Sequence, residues 1–151
     1  MQPKLKVALL VGVIGLVLNV CVSGAVGLCG PAVSLLAGAV AGFFAAQQEK
    51  PASKSEGAKV GAFSGALSGA IVLVGQVIGA VGALALIQTT GTQLPFGEVP
   101  SMSADPSQLV IFYVSGMATG VCFGLVGAVL AGLAGAGTGY LGTPDSPVPQ
   151  A

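Results

Sequence analysis

Four long apolar runs separated by short polar stretches organise this chain. The first extends from about Leu5 to Val26 and carries no charge after Lys6. The second, from about Pro31 to Gln47, opens on Gly30-Pro31, and proline suits the first position of a helix. The third runs from about Gly57 to Gln88 and the fourth from about Pro106 to Tyr140. None shows the strict alternation of a membrane β-strand. A hydrocarbon core about 30 Å thick needs roughly 20 apolar residues in helical form, which all four runs meet or approach. The last two would be on the order of 50 Å long, so they must tilt or extend beyond the hydrocarbon. The pattern predicts an all-α fold, a bundle of four transmembrane helices at about 5–26, 31–47, 55–88 and 106–140. They form a single domain over 1–142, followed by a mobile proline-rich tail at 143–151.

Within the runs, small residues recur at fixed spacing. Gly57, Gly61, Gly65 and Gly69 fall every fourth residue, flanked by Ser64 and Ser68, with Gly75 and Gly79 farther along. The fourth run repeats the device with Gly116, Gly120, Gly124, Ala128, Gly132 and Ala136, and the second with Ser34, Gly38, Gly42 and Ala46. Residues four apart share a helix face. In lipid, helices associate through close backbone approach and interhelical hydrogen bonds, which small faces permit. Glycine-zipper packing is therefore expected, either inside one bundle or between this chain and other copies or subunits. A further likeness, between "VSLLAGAVAGF" in the second run and "FGLVGAVLAGL" in the fourth, suggests a parallel duplication of a hairpin.

Polar punctuation sets the ends. Ser53-Lys54-Ser55-Glu56 has the spacing of a capping box. Asp105-Pro106 opens the fourth helix, and Gly142-Thr143-Pro144 stops it. The connection "TTGTQLPFGEVPSMSADPSQ" is long for a compact bundle. Its Pro95, Phe96 and Pro100 suggest packing over the bundle end, with a free loop as the competing reading.

Charge then orients the bundle. All five lysines (Lys4, Lys6, Lys50, Lys54 and Lys59) precede the first helix or lie near the connection between the second and third. The long connection carries Glu98 and Asp105 but no lysine. The positive-inside rule then makes both termini cytoplasmic. Phe43, Phe44, Phe63 and Tyr140 fall near the inner ends, and Phe112 and Tyr113 near the outer end, where rings favour the interface. A cleaved signal peptide is the competing reading of the first run, with Lys4 and Lys6 as its basic region and Ser23 to Ala25 as a cleavage site. A lipoprotein cysteine at Cys21 is disfavoured by the bulk of Val20.

Composition narrows the chemistry. The chain is 54% hydrophobic and only 7% charged, with 25 glycines and a mean hydropathy of +0.94. Soluble domains carry about 25% charged residues, so a bilayer is the expected surrounding. Net charge is zero and no basic patch could neutralise phosphates, so nucleic acid is not an expected partner. There is no histidine to ligate haem, chlorophyll or zinc, and no nucleophile–base pair is legible. No cofactor, metal or enzymatic activity is expected. Cys21, Cys29 and Cys122 are too scattered for a metal site. On one continuous helix Cys21 and Cys29 would be about 12 Å apart, too far for a disulfide unless the helix breaks at Gly24 or Gly27. Free thiols are expected.

No charge lies in the middle of any run, which argues against a pump or ion-coupled transporter. Asn19 and Gln76 are the amides well inside the runs, at similar depth. They are expected to pair between the first and third helices, with substrate binding as the functional alternative. A second function class remains open, a small channel or permease lined by Ser64, Ser68, Ser115, Thr119 and exposed carbonyls.

The combination of "AGAVAGFFA", a short charged loop and "GAKVGAFSGALSGA" resembles small four-helix membrane proteins of bacteria and archaea known as domains of unknown function. The likeness covers the second and third helices. It implies the cytoplasmic membrane of a prokaryote and carries no activity or site residues with it. A structural or accessory role in a membrane assembly, through glycine-mediated helix packing, is the expected function.

Overall fold

The computed structural model describes residues 3–23, 30–91, 100 and 105–144. Cys29, the expected break at Gly24 or Gly27, Pro95 and Phe96 of the long connection, and the tail beyond Pro144 lie outside the described residues. Within them the chain forms four helices: α1 (Pro3–Ser23), α2 (Gly30–Glu49), α3 (Lys54–Thr90) and α4 (Pro106–Leu141). All four are long and apolar enough to cross a membrane. These four candidate spans identify a multi-pass membrane protein.

Local chemistry explains the boundaries. Polar Gln47 and Gln48 do not end α2, which continues to Glu49. It stops where Pro51 disfavours helical geometry in the residue before it, and Lys50 turns to a φ of 47°. Ser53 caps α3, its Oγ accepting from the Glu56 N–H at 3.3 Å. The Glu56 carboxylate reaches back to the N–H of Ala52, at 3.1 Å, one residue before the cap. α3 ends on Gly91, whose φ of 66° is the left-handed conformation that glycine adopts without a Cβ penalty. Asp105 opens α4 by accepting from both the N–H and the hydroxyl of Ser107, at 2.8 and 2.6 Å. These two bonds favour the ionised carboxylate and hold its pKa below the usual value.

α1 and α3 run in one direction and α2 and α4 in the other. At one end the Lys4 N–H donates to Glu49 Oε1, and the Lys4 ammonium lies 3.7 Å from Glu49 Oε2. The same ammonium sits 6.0 Å from the Phe63 ring centre, and Lys54 Nζ sits 5.1 Å from that of Tyr140. The start of α1 and the end of α4 therefore share this lysine-bearing end. At the other end Tyr113 donates to Gln88 Oε1 at 2.6 Å, and Gln88 Nε2 donates to the Pro100 carbonyl at 3.1 Å. That bond ties one residue of the long connection to the end of the α3–α4 hairpin.

α2 and α3 touch each other and both neighbours, whereas among the described residues α1 makes no contact with α4. The section is thus a rhombus with α2 and α3 on its short diagonal. Its interior is built from small side chains: Ala8, Ala41, Ala45, Ala131, Ser64 and Ser68 are wholly buried. Bulk points outward, with Leu10, Leu36, Ile111, Leu133 and Leu141 more than 60% exposed. This inversion of a water-soluble core fits lipid as the solvent, where leucine gains nothing by turning inward.

Candidate functional site

The most constructed feature of the molecule is the seam where α2, α3 and α4 meet. A Cβ added to Gly38 would overlap the backbone of Ala131, and one on Gly42 the backbone of Gly135. From α3, Gly61 meets the Gly135 carbonyl, Gly65 the Ala131 carbonyl, and Gly57 the Thr143 hydroxyl. Gly69 closes the row, 2.8 Å from Ala131 Cβ and 2.9 Å from Ala128 Cα as measured from its would-be Cβ. Gly135 stands at the junction of all three helices, facing Gly61, Gly65 and Gly38 together. Main chain lies against main chain along this seam, the closest approach that helices can make.

Hydroxyl groups add direction. Thr138 Oγ1 on α4 donates to the Ala39 carbonyl of α2 at 2.7 Å. Ser64 Oγ on α3 lies 3.3 Å from the Ala41 carbonyl of α2, and also within reach of Val60 O and Gly61 O of its own helix. Both neighbours thus bond to the same stretch of α2. Ser68 donates to Gly65 O, inside its own helix.

The α4 face differs from the expected one in its inner half. The expected series ran from Gly116 through Gly120 and Gly124 to Ala128, Gly132 and Ala136. Gly120 and Gly124 are buried, but the series continues as Gly127, Ala131, Gly135 and Gly139. Steps of four residues rotate about 40° too far each time on a helix of 3.6 residues per turn. A single step of three, from Gly124 to Gly127, restores the face. Gly132 lies at its flank, where a Cβ would stand 3.5 Å from Ala66 Cβ in ordinary contact. Gly116 faces the flexible end of Leu84, not backbone.

Sequence reasoning also missed the small face of α1. Gly12 lies against Ser68 and Ile71, and Gly15 against Val72 and Ala37. With Ala8 and Asn19 they form a 4-3-4 series that a constant spacing of four does not detect. Thr138 was missed as well, although a hydroxyl among glycines in an apolar run was a usable signal.

Asn19 and Gln76 do not pair as expected. Asn19 Nδ2 donates instead to the Val72 carbonyl of α3 at 3.5 Å, one turn short of Gln76. Asn19 Oδ1 and Gln76 Oε1 are buried without a partner. The four residues expected to line a pore are not brought together either. Ser64 and Ser68 are wholly buried against helix backbone. Ser115 and Thr119 are exposed on the outside of α4, where they bond to Phe112 O and Ser115 O of their own helix. A hollow of about 250 Å³ between α1 and α2 is lined by Val11, Ile14 and Leu18 against Val33, Leu36 and Val40. Its wall is hydrocarbon and offers no reactive group. Cys21 and Cys122 are free thiols on the exposed surface.

No family model matches the chain, and neither the curated proteins nor the solved structures contain a significant match.

Proposed function

We propose that this protein is a structural or accessory component of a membrane assembly, working through glycine-mediated helix packing and without catalytic chemistry or a cofactor. Support comes from the seam, where the interior is closed by backbone contact and the Thr138, Ser64 and Ser68 hydroxyls are bonded to carbonyls. Such a bundle can hold shape and present a surface in lipid. The surface has sites of close approach to spare, since Gly82 of α3 and Gly137 of α4 have open space where a side chain would stand. The partners are further copies of the chain or other membrane subunits. Purification in mild detergent, followed by mass measurement of the particle, tests this reading. A particle larger than one chain is expected, and Gly82→Leu with Gly137→Leu is expected to reduce its size without unfolding it. A monomer that conducts ions or solutes in sealed liposomes would replace this reading with a channel.

The setting follows the same argument. Lys4, Lys6, Lys50, Lys54 and Lys59 flank the helix ends that gather at one face of the bundle, and the positive-inside rule places that face in the cytoplasm. The resemblance of the α2–α3 hairpin to prokaryotic four-helix proteins supports the cytoplasmic membrane of a prokaryote as the location. Ser55→Cys, in a background lacking the natural cysteines, is expected to resist an impermeant thiol reagent in intact cells. Ready labelling there reverses the orientation.

A further inference from the structure

Three buried side chains on three helices each carry an oxygen with no hydrogen-bond partner among the described residues. They are Asn19 Oδ1 on α1, Ser34 Oγ on α2 and Gln76 Oε1 on α3. The residues are 0%, 1% and 5% exposed. Orphaned polar atoms of this kind are rare in folded proteins, and lipid offers them nothing.

Helix register brings them to one level. A Cβ on Gly15 of α1 would lie 2.8 Å from Val72 Cγ2 on α3 and 3.4 Å from Ala37 Cβ on α2. One turn farther from the lysine-bearing end stand Asn19, four after Gly15, and Gln76, four after Val72. α2 runs the opposite way, so its residue one turn farther is Ser34, three before Ala37. Residues three or four apart share a face, so Asn19 and Gln76 turn toward the seam that Gly15, Val72 and Ala37 define, while Ser34 Oγ lies at the same level on the α4 side of it, 2.8 Å from where a Cβ on Gly127 would stand. Asn19 Nδ2 already reaches the Val72 carbonyl, the same carbonyl that accepts the helical bond from the Gln76 N–H. The two amides therefore border one turn of α3.

We propose that Asn19, Ser34 and Gln76 form a binding site for a single water molecule inside the bundle. The donors and acceptors balance. The two water protons go to Asn19 Oδ1 and Gln76 Oε1, and the Ser34 hydroxyl donates to the water oxygen. Three bonds are typical of a buried water. Direct contacts do not achieve this balance. Asn19 Nδ2 bonds to the Val72 carbonyl, no bond joins the three side chains to one another, and their three oxygens stay without a partner. A cation would meet three neutral oxygens in an apolar interior with no acidic group at this level among the described residues, and an unpaired buried charge is strongly disfavoured. The water joins α1 to α2 and α3 at the end opposite the Lys4–Glu49 contact, so α1 is held at two separated points.

The test is a high-resolution structure of the full chain in lipid nanodiscs. A density peak is expected at about 2.7–3.2 Å from all three oxygens. No peak, with the two amides turned onto each other, overturns the proposal. So does a peak at about 2.4 Å, in the range of cation–oxygen contacts, that disappears when sodium is replaced by choline. In solution, a long-lived water should give an NOE to the Asn19 side-chain amide. Gln76→Met keeps the volume, removes both polar atoms and is expected to abolish that signal. If Gln76→Met does not fold, Ser34→Ala provides the same readout. Persistence of the unchanged signal in the folded variant overturns the site.

Discussion

A methyl group at Gly38 would fall on main-chain atoms of Ala131, and main chain cannot rotate aside as a side chain can. Gly38→Ala must therefore push α2 and α4 apart, and overpacking of this kind costs about 1–3 kcal/mol. Gly137→Ala meets open space. Alanine is the better helix former by about 1 kcal/mol in water, so this variant is expected to be neutral or slightly stabilised. Gly132→Ala belongs with the tolerated change, because its neighbour Ala66 lies at ordinary contact distance. Thermal unfolding of the three variants in one detergent checks the order. Equal loss in all three would mean that glycine content, not position, governs stability. The same logic separates Gly116 from Gly38, because Leu84 can swing its terminal carbons away and a backbone carbonyl cannot.

Helices are the scale at which the sequence was most informative and also where its reading slipped. Length and hydropathy located all four, since a run of apolar residues long enough to cross a bilayer has few other uses. Helix ends were legible where a side chain supplies the signal, as with Ser53 for α3 and Asp105-Pro106 for α4. Faces were harder. Counting in fours tracks a helix for three or four steps and then drifts, which is why Gly69 was assigned but Gly127, Gly135 and Gly139 were not. The buried face of α3 makes the same correction, stepping from Gly69 to Val72 and on to Gly75 and Gln76. The Asn19–Gln76 pairing failed for a related reason. Depth along a helix was readable from position, but the rotation that turns Asn19 onto Val72 depends on the neighbours of both helices. Spacing also could not tell that Ser64 faces inward while Ser115 faces outward. Both lie among small residues, and only the packing of α2 against α3 separates them.

At the scale of the whole molecule the rhombus divides the bundle into unequal parts. α2, α3 and α4 meet backbone to backbone around Gly135, whereas α1 occupies a corner and touches only α2 and α3 among the described residues. α1 also meets them through larger groups, since Gly12 and Gly15 face Ile71 and Val72 side chains. The two parts should therefore respond separately to crowding. Gly15→Leu drives a side chain into the contact with Val72 and Ala37, and α1 should swing outward while the three-helix seam holds. Gly38→Leu should do the reverse, opening α2 from α4. Spin labels at Leu10 and Val74 report the α1–α3 separation, and labels at Leu36 and Leu133 report that of α2 and α4. All four side chains are more than half exposed, so labels can replace them without entering the core. In Gly15→Leu the first distance is expected to lengthen or broaden and the second to stay fixed. In Gly38→Leu the second should lengthen. If both pairs move together in either variant, the bundle deforms as one body and the corner position of α1 confers no independence on it.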